Sequence, residues 1–233
     1  MPQGMVQLSN DYTPEELMQI INICMKALRS KDAYTFAHSE RVGKIAEHMA
    51  AALNLSNEEI NVCRVLGKLH DIGKLFVPSA ILKKPASLNE VEWAMMRKHS
   101  ADAVRILSCM HFMEEYMDVV KALHERYDGK GYPDGLEGRR IPFAARILAV
   151  ADSYDAMTTD RPYRKAQPLE YVHAELVGGR GKQFCPQAVD AALSLLERHM
   201  RKPYAVVTES LKKLIEIPAP VPIVFPLIKP LQS

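Results

Sequence analysis

The stretch His70-Asp71-Ile72-Gly73-Lys74 closes an amphipathic segment whose apolar positions recur at helical spacing. Gly73 permits the chain to leave the helix sharply. Neighbouring side chains inside a regular helix diverge by about 100°, whereas at a helix end they can turn toward one point. The sequence therefore predicts that His70 and Asp71 converge on a single site where a helix ends.

Helix-start signals recur along the chain. Thr13 stands before a proline and two glutamates, an arrangement typical of a capped helix end, and the apolar residues that follow have helical spacing. Similar starts are indicated at Ser56 and Ser87, and Pro168 and Pro186 suit the first turns of two later helices. No segment shows sustained strand alternation. The sequence therefore predicts an all-α protein folded as a helical bundle.

Two long segments lack a helical pattern and are predicted to be loops, residues 72–85 and residues 128–142. Loops of this length commonly carry function. A short helix is predicted over residues 211–215, and the prolines after it indicate an extended tail. The predicted organisation is a lead over residues 1–13, one domain over residues 14–200, and a short helix with a proline-rich tail over residues 201–233.

Composition indicates a soluble protein of balanced charge. The chain has 233 residues, with 30 Lys and Arg against 28 Asp and Glu, giving a formal charge of +2. No net field attracts a nucleic acid polymer or an anionic membrane, and no apolar run approaches the roughly 18 residues of a membrane span. The widely spaced cysteines indicate neither a disulfide framework nor a thiolate zinc site. A cytoplasmic location is therefore predicted.

Several histidines and aspartates are predicted to face the interior. His38 shares a helical face with Val42 and Met49, and His124 follows Val120 by four positions. Each histidine alone is explained equally well as a hydrogen-bonded core residue. Together, however, these groups would be costly to bury unpaired, and a metal ion would compensate all of them at once. The candidate metal ligands are His38, His70, Asp71, His99, His124 and Asp152.

This candidate ligand set offers imidazole and carboxylate but no thiolate. Such a set favours iron, manganese or nickel, is compatible with zinc or cobalt, and disfavours calcium and magnesium. Trp93, Met95 and Met96 precede His99 on a short amphipathic segment and are predicted to lie in the core. The remaining histidines match no partner motif and are interpreted as solvated or packing residues: His48, His111, His173 and His199.

A series of motifs in the chain resembles the HD-GYP domain of the HD phosphohydrolase superfamily. The match covers roughly residues 14–200, with the motifs in the family's order, and the long Gly-Tyr-Pro loop is its most specific part. The matching segments are residues 70–74, Pro78, residues 81–85, His99, residues 124–136, residues 146–152, residues 155–158 and residues 160–164.

The resemblance implies an HD-type helical bundle that holds a two- or three-metal centre. It implies hydrolysis of cyclic di-GMP to linear pGpG, and in some members onward to GMP, through two-metal activation of a bridging hydroxide. By the same resemblance the six candidate residues are the ligands, Asp71 bridges two metals, and Asp71 and Lys74 are catalytic. Substrate binding is assigned in this way to Lys74, Tyr132, Arg161 and Arg164, whose cationic members suit phosphate or guanine.

Three positions depart from the family pattern. Leu123 stands where the family has the first of two adjacent histidines, so one metal would lose a ligand. Tyr34 replaces a glutamate that accompanies the third metal, and two divalent ions are therefore predicted. Cys185 stands where an aspartate is common, and the pattern gives it no mechanistic role.

Three functions stay open on the sequence alone. The first is an active cyclic di-GMP phosphodiesterase. The second is a degenerate domain that binds a cyclic dinucleotide, or a signalling protein through the Gly-Tyr-Pro loop, without turnover. The third is a phosphohydrolase for another substrate, such as cyclic GMP-AMP or a linear dinucleotide. A homodimer is compatible with each of them.

Overall fold

A computed structural model describes residues 12–160 and 164–200. The predicted all-α class is confirmed, because these residues form helices and turns and contain no strand. The described α-helices are α1 (Pro14–Lys31), α2 (Ala33–Ala52), α3 (Asn57–Leu69), α4 (Ser79–Leu82), α5 (Glu90–Leu107), α6 (Met117–Lys121), α7 (Phe143–Thr158), α8 (Leu169–Gly179) and α9 (Pro186–Met200). Short 3-10 turns cover Ile72–Phe76, His111–Tyr116, Ala122–His124 and Gly138–Arg140.

The predicted helix starts are largely confirmed by side-chain caps. Thr13 and Ser56 each form a reciprocal capping box with a glutamate three residues later, at the starts of α1 and α3. The start predicted at Ser87 is displaced, because α5 begins after Asn89, which makes its own capping box with Glu92. The asparagine competes successfully because its side-chain oxygen accepts the amide of Glu92 at 2.9 Å.

The loop predicted over residues 72–85 is wrong in part. The chain forms the 3-10 turn Ile72–Phe76 directly after α3 and then the single-turn helix α4. Gly73 makes this possible, since a Cβ at that position would overlap the backbone of His99 and Ala103 in α5. The turn therefore packs directly on the backbone of α5, which carries one of the candidate ligands.

Helix α2 lies at the centre of the bundle and contacts α1, α3, α7 and α9. Its contact with α3 is close, because a Cβ placed on Gly67 of α3 would meet the Cα of Gly43 in α2 at 2.7 Å. Val42 and Met49 are fully buried, as the helical spacing predicted. The helices that carry His38 and His70 are therefore held against each other at backbone distance.

The core placement predicted for Trp93 and Met95 is wrong. Their side chains are 50% and 43% exposed. The buried residues of α5 begin only at His99, and Trp93 lies six positions earlier, about 120° around the helix. Apolar spacing in the first turns of α5 therefore did not identify the face that packs on the bundle.

Parts of the predicted organisation lie outside the described residues. These parts are the lead up to residue 11, the segment 161–163 with Arg161, and the short helix and proline-rich tail over residues 201–233. The elements α1 to α9 run from Pro14 to Met200, and the division of the whole chain stays a prediction. None of the described helices combines the length and apolar character that crossing a bilayer requires.

Candidate metal centre

Histidines from separate elements surround the buried carboxylate of Asp71. His38 of α2 places Nε2 3.7 Å from Oδ2 of Asp71, and His99 of α5 places Nε2 3.7 Å from Oδ1. Nε2 of His70 lies 3.3 Å from Oδ2. Because α3 ends at Leu69, His70 and Asp71 lie outside the regular helix and turn toward the same point. His38, His70 and Asp71 together form a group that can hold a metal ion.

His124 and Asp152 extend this cluster on two sides. Nε2 of His124 lies 2.9 Å from Nε2 of His99, and Oδ1 of Asp152 lies 3.0 Å from Nε2 of His38. The Asp152 side chain is 34% exposed, whereas Asp71 is 2% exposed. The structure thus brings all six predicted ligands together, with Asp71 on the buried side of the cluster and Asp152 on its solvent side.

Backbone carbonyls fix the rings of two histidines. Nδ1 of His70 donates to the carbonyl of Gly67 at 2.7 Å, and Nδ1 of His99 donates to the carbonyl of Met96 at 2.6 Å. A ring that donates from Nδ1 in its neutral form presents a lone pair at Nε2. These lone pairs point toward the Asp71 carboxylate, so acceptors face acceptors around a common centre. A cation bound at this centre would offset the repulsion between these lone pairs and the carboxylate.

A third histidine is oriented by a carboxylate that the sequence analysis did not single out. Asp155, 1% exposed on α7, accepts from Nδ1 of His38 at 2.7 Å. Its oxygens also accept from Nε of Arg41 at 2.6 Å and from NH2 of Arg41 at 3.0 Å. Carboxylates in this position fix the tautomer and direction of a metal-binding imidazole. The signal in the sequence was the spacing of Asp152 and Asp155, three residues apart on one helix.

The charges of the cluster are strongly coupled. Burial favours the neutral acid of Asp71, but the nearby His70 and Lys74 outweigh it and hold the pKa of Asp71 well below its usual range. Burial likewise disfavours protonated His38, yet Asp152 and Asp155 raise the pKa of His38 to about 9. Burial and the neighbouring His99 lower the pKa of His124 to about 4. The cluster therefore keeps Asp71 charged and favours protonation of His38, a proton that a bound metal ion would displace.

The donor set fits divalent transition metals. His38, His70 and Asp71 form the compact group, His99, His124 and Asp152 adjoin it through the contacts described above, and no cysteine sulfur belongs to the compact group. Nitrogen and oxygen donors without thiolate suit iron, manganese, nickel, cobalt or zinc. The geometry alone does not select one of these ions.

Residues 22–188 match the protein family described as HD domain. This match covers most of the chain and includes every predicted ligand. The chain belongs to the HD domain family.

Relatives of this HD domain include the cyclic di-GMP phosphodiesterase response regulator RpfG of Xanthomonas campestris. RpfG is 40% identical over 187 residues, which cover 79% of this chain and 50% of RpfG. The 3'3'-cGAMP-specific phosphodiesterase 1 of Vibrio cholerae is 38% identical over 158 residues, which cover 68% of this chain and 37% of that protein. The chain thus spans half or less of the length of these relatives.

The fold of the HD domain also matches a solved structure. Bd1817, described as an HDG"Y"P protein from Bdellovibrio bacteriovorus, aligns with a TM-score of 0.58 and 17% identity over 79% of this chain and 62% of that chain. With the family match and the relatives, this likeness confirms the predicted resemblance to HD-GYP proteins.

The Gly-Tyr-Pro loop of this HD domain is folded onto His124. The Tyr132 ring stacks on the His124 ring with centroids 5.1 Å apart and an interplanar angle of 16°. The guanidinium of Arg97 also contacts this ring, at 5.6 Å from the Tyr132 centroid. The predicted substrate residue Tyr132 therefore lies in direct contact with a predicted ligand.

A buried glutamate holds this loop in place. Glu125, 4% exposed, accepts the backbone amide of Asp134 at 2.7 Å with one oxygen and that of Leu136 at 3.1 Å with the other. This role of Glu125 was not predicted, because its partners are backbone amides, which leave no side-chain pattern in the sequence. Because Glu125 directly follows the predicted ligand His124, its carboxylate fixes the Gly-Tyr-Pro loop next to that histidine.

We expect Glu125→Ala to loosen the Gly-Tyr-Pro loop. Two hydrogen bonds to a charged acceptor are lost, each worth about 1.5–3 kcal/mol. Limited trypsinolysis should then cut after the exposed Lys130 at least tenfold faster than in the wild type, a factor equivalent to about 1.4 kcal/mol of lost protection. Glu137→Ala removes an exposed carboxylate from the same loop and is the matched control. Equal cleavage rates in the two variants would contradict the role given to Glu125.

The remaining predicted substrate residues occupy different places. Nζ of Lys74 lies at the cluster, paired with Oδ2 of Asp71 at 2.6 Å. Arg164 donates from NH2 to the carbonyl of Ala156 on α7 at 2.6 Å. Arg161 lies outside the described residues.

The three departures from the family pattern have distinct surroundings. Leu123 is 7% exposed and belongs to the hydrophobic core. The Tyr34 ring lies parallel to the His38 ring, with centroids 6.5 Å apart. Cys185 is buried beside Arg146, whose NH1 lies 3.6 Å from the sulfur. An aspartate at position 185 would therefore lie beside the guanidinium of Arg146, with which it could form an ion pair.

The histidines interpreted as solvated or packing residues lie apart from the cluster where they are described. His48 bonds the carbonyl of Lys44 through Nδ1 at 2.6 Å. His111 lies 3.5 Å from Glu114 on the surface, and His173 is exposed on α8. The side chain of His199 lies outside the described part of the chain.

Proposed function

We propose that this HD domain is a metal-dependent phosphodiesterase that hydrolyses cyclic di-GMP to linear pGpG, with GMP as the product of a second hydrolysis. The observation that carries the proposal is the buried Asp71 carboxylate, whose oxygens lie 3.3 to 3.7 Å from the Nε2 atoms of His38, His70 and His99. We assign the ligand roles to His38, His70, Asp71, His99, His124 and Asp152, and we propose two divalent ions.

When bound, these ions supply positive charge that polarises the phosphodiester and acidifies the attacking water. The residues of the chain supply the remaining functions. Lys74 pairs with Asp71, and we assign its ammonium to neutralising a phosphate oxygen of the substrate. Tyr132 presents an aromatic ring next to His124 and limits the access of bulk water from the loop side.

The relatives support this proposal. RpfG, named a cyclic di-GMP phosphodiesterase, shares 40% identity over a stretch that includes most of this chain. The decisive experiment loads the purified protein with iron, manganese or nickel in turn and follows cyclic di-GMP by chromatography. We expect pGpG to appear with at least one metal. Absence of any linear product with all three would refute the proposal.

A degenerate domain that binds a cyclic dinucleotide or a signalling protein without turnover is the second candidate. Leu123 favours it, because leucine cannot bind metal where relatives of the HD-GYP type have histidine. On our proposal the wild type is active without that ligand, and a protein partner at the Gly-Tyr-Pro loop or a homodimer would modulate the activity rather than replace it.

Leu123→His separates these two functions. We expect the variant to hydrolyse cyclic di-GMP no more than about threefold faster than the wild type, and to lose about 2 kcal/mol of stability because a polar ring enters the core. The measurements are initial rates and thermal melting, with Leu123→Met as a control that preserves the apolar volume. An inactive wild type together with an active Leu123→His variant would instead establish the binding-only function.

Hydrolysis of another cyclic dinucleotide is the third candidate. A relative in Vibrio cholerae that shares 38% identity is named 3'3'-cGAMP-specific. Initial rates on cyclic di-GMP, cyclic GMP-AMP and linear pGpG, measured with one metal-loaded preparation, rank the substrates directly.

A further inference from the structure

A cavity of about 680 Å³ lies between α7, α8 and the start of the Gly-Tyr-Pro loop. Its lining includes Ser153, the residue after the predicted ligand Asp152, and Ala156, which lies about 6 Å from Asp152 along α7. Arg126, two residues after His124, is also part of its lining. The volume lies within the range of small-molecule sites, about 300–1,000 Å³. Because residues four apart share one face of a helix, the cavity wall at Ala156 lies about one turn from the predicted ligand Asp152.

The walls of this cavity are built from fixed elements. The segment that follows α8 is tied to the start of the Gly-Tyr-Pro loop, because Tyr127 donates its amide to the carbonyl of Gln183 at 3.1 Å and Asp128 donates to that of Lys182 at 2.7 Å. On α8, a Cβ placed on Gly178 meets no atom within 4 Å. Gly178 therefore leaves room along the cavity for a planar group.

The charged groups along the cavity are of both signs. Arg126, Arg164 and Lys182 contribute cations, and Glu175 on α8 contributes a carboxylate. Arg126 is held by Asp128 at 3.0 and 2.8 Å. Within residues 12–160 and 164–200, no hydrogen bond or ion pair engages the side chain of Glu175 or Lys182. One acceptor-only group thus lies among donors at the edge of an open cavity.

We propose that this cavity binds one guanine base of the dinucleotide and that Glu175 determines the preference for guanine. This inference rests on the proposed function for its substrate class. Guanine presents two adjacent donors, N1–H and the N2 amino group, and a carboxylate accepts both in one bidentate pair. Adenine presents a lone pair at N1 beside its amino group, so one carboxylate oxygen would face an acceptor. Lys182 and Arg126 donate to the O6 and N7 acceptors of guanine or to the second phosphate.

The test uses the full chain and two nucleotides without a diester bond, GMP and AMP, so that binding is measured without turnover. Calorimetry should show that the wild type binds GMP at least about tenfold more tightly than AMP. Glu175→Gln should reduce this preference to about threefold or less, because an amide offers one donor and one acceptor and pairs with adenine. Glu170→Gln, an exposed position on the same helix and outside the cavity lining, should leave the preference unchanged.

A second variant tests the location of the site. Gly178→Leu fills the open space along α8 and should weaken GMP binding at least tenfold. Equal GMP and AMP binding by the wild type, or an unaltered preference in Glu175→Gln, would overturn the inference. A guanine preference that depends on Glu175 in a protein that hydrolyses no cyclic dinucleotide would refute the proposed function and leave the inference intact.

Discussion

Replacing Asp71 with asparagine is expected to abolish metal binding and hydrolysis together. The substitution preserves the shape of the side chain but removes the negative charge that His38, His70 and His99 surround. Loss of one partner from a buried charge cluster costs about 3–5 kcal/mol. We also expect the rate to fall by at least about 1,000-fold, which corresponds to about 4 kcal/mol of lost transition-state stabilisation and is separate from the cost to folding.

Two measurements check this prediction. Elemental analysis of the purified variant should show a loss of bound transition metal, and chromatography should show no conversion of cyclic di-GMP above background. Asp118→Asn is the matched control, since Asp118 is exposed on α6 and lies outside the cluster. An Asp71→Asn protein that retains both metal and turnover would show that the catalytic centre lies elsewhere.

Gly73→Ala is expected to lower the stability of the fold strongly. The added methyl group would overlap the carbonyl oxygen of His99 and approach the amide nitrogen of Ala103 at 2.6 Å. Both are backbone atoms of a helix and cannot rotate away as a side chain does. Overpacking of this kind costs about 3 kcal/mol, which lowers the melting temperature of a chain of this size by roughly 10 °C.

The matched control for this substitution is Gly178→Ala, where the added methyl group meets no atom within 4 Å. A glycine replaced by alanine in an unobstructed helical position should melt at the same temperature as the wild type or slightly higher. Thermal melting followed by circular dichroism compares the two variants directly. Identical melting of Gly73→Ala and the wild type would mean that the turn after α3 does not pack on α5 as described.

Much of the fold and of the ligand cluster was predictable, because both depend on local signals. Capping residues and apolar spacing placed α1 and α3. A helix end followed by glycine indicated that His70 and Asp71 converge. The six predicted ligands meet because each lies on, or directly beside, the inward face of a helix or 3-10 turn.

The supporting contacts were not predictable in the same way. Glu125 holds backbone amides nine and eleven residues away, and Asp155 pairs with residues of α2 more than a hundred positions earlier. The contacts of Glu125 leave no pattern in the sequence, and the signal for Asp155 is limited to its spacing of three residues from Asp152. Trp93 shows the converse failure, because an apolar residue at plausible helical spacing lies 50% exposed.

The contact between Gly43 and Gly67 allows the close approach of α2, which carries His38, and α3, which directly precedes His70. Gly43 lies five residues after His38, and Gly67 lies three residues before His70 and supplies the carbonyl that orients the His70 ring. The His38 and His70 rings, whose centroids lie 5.2 Å apart, are therefore held by helices whose spacing depends on residues that have no side chain. Larger residues at positions 43 and 67 would push the two histidines apart without touching either ring.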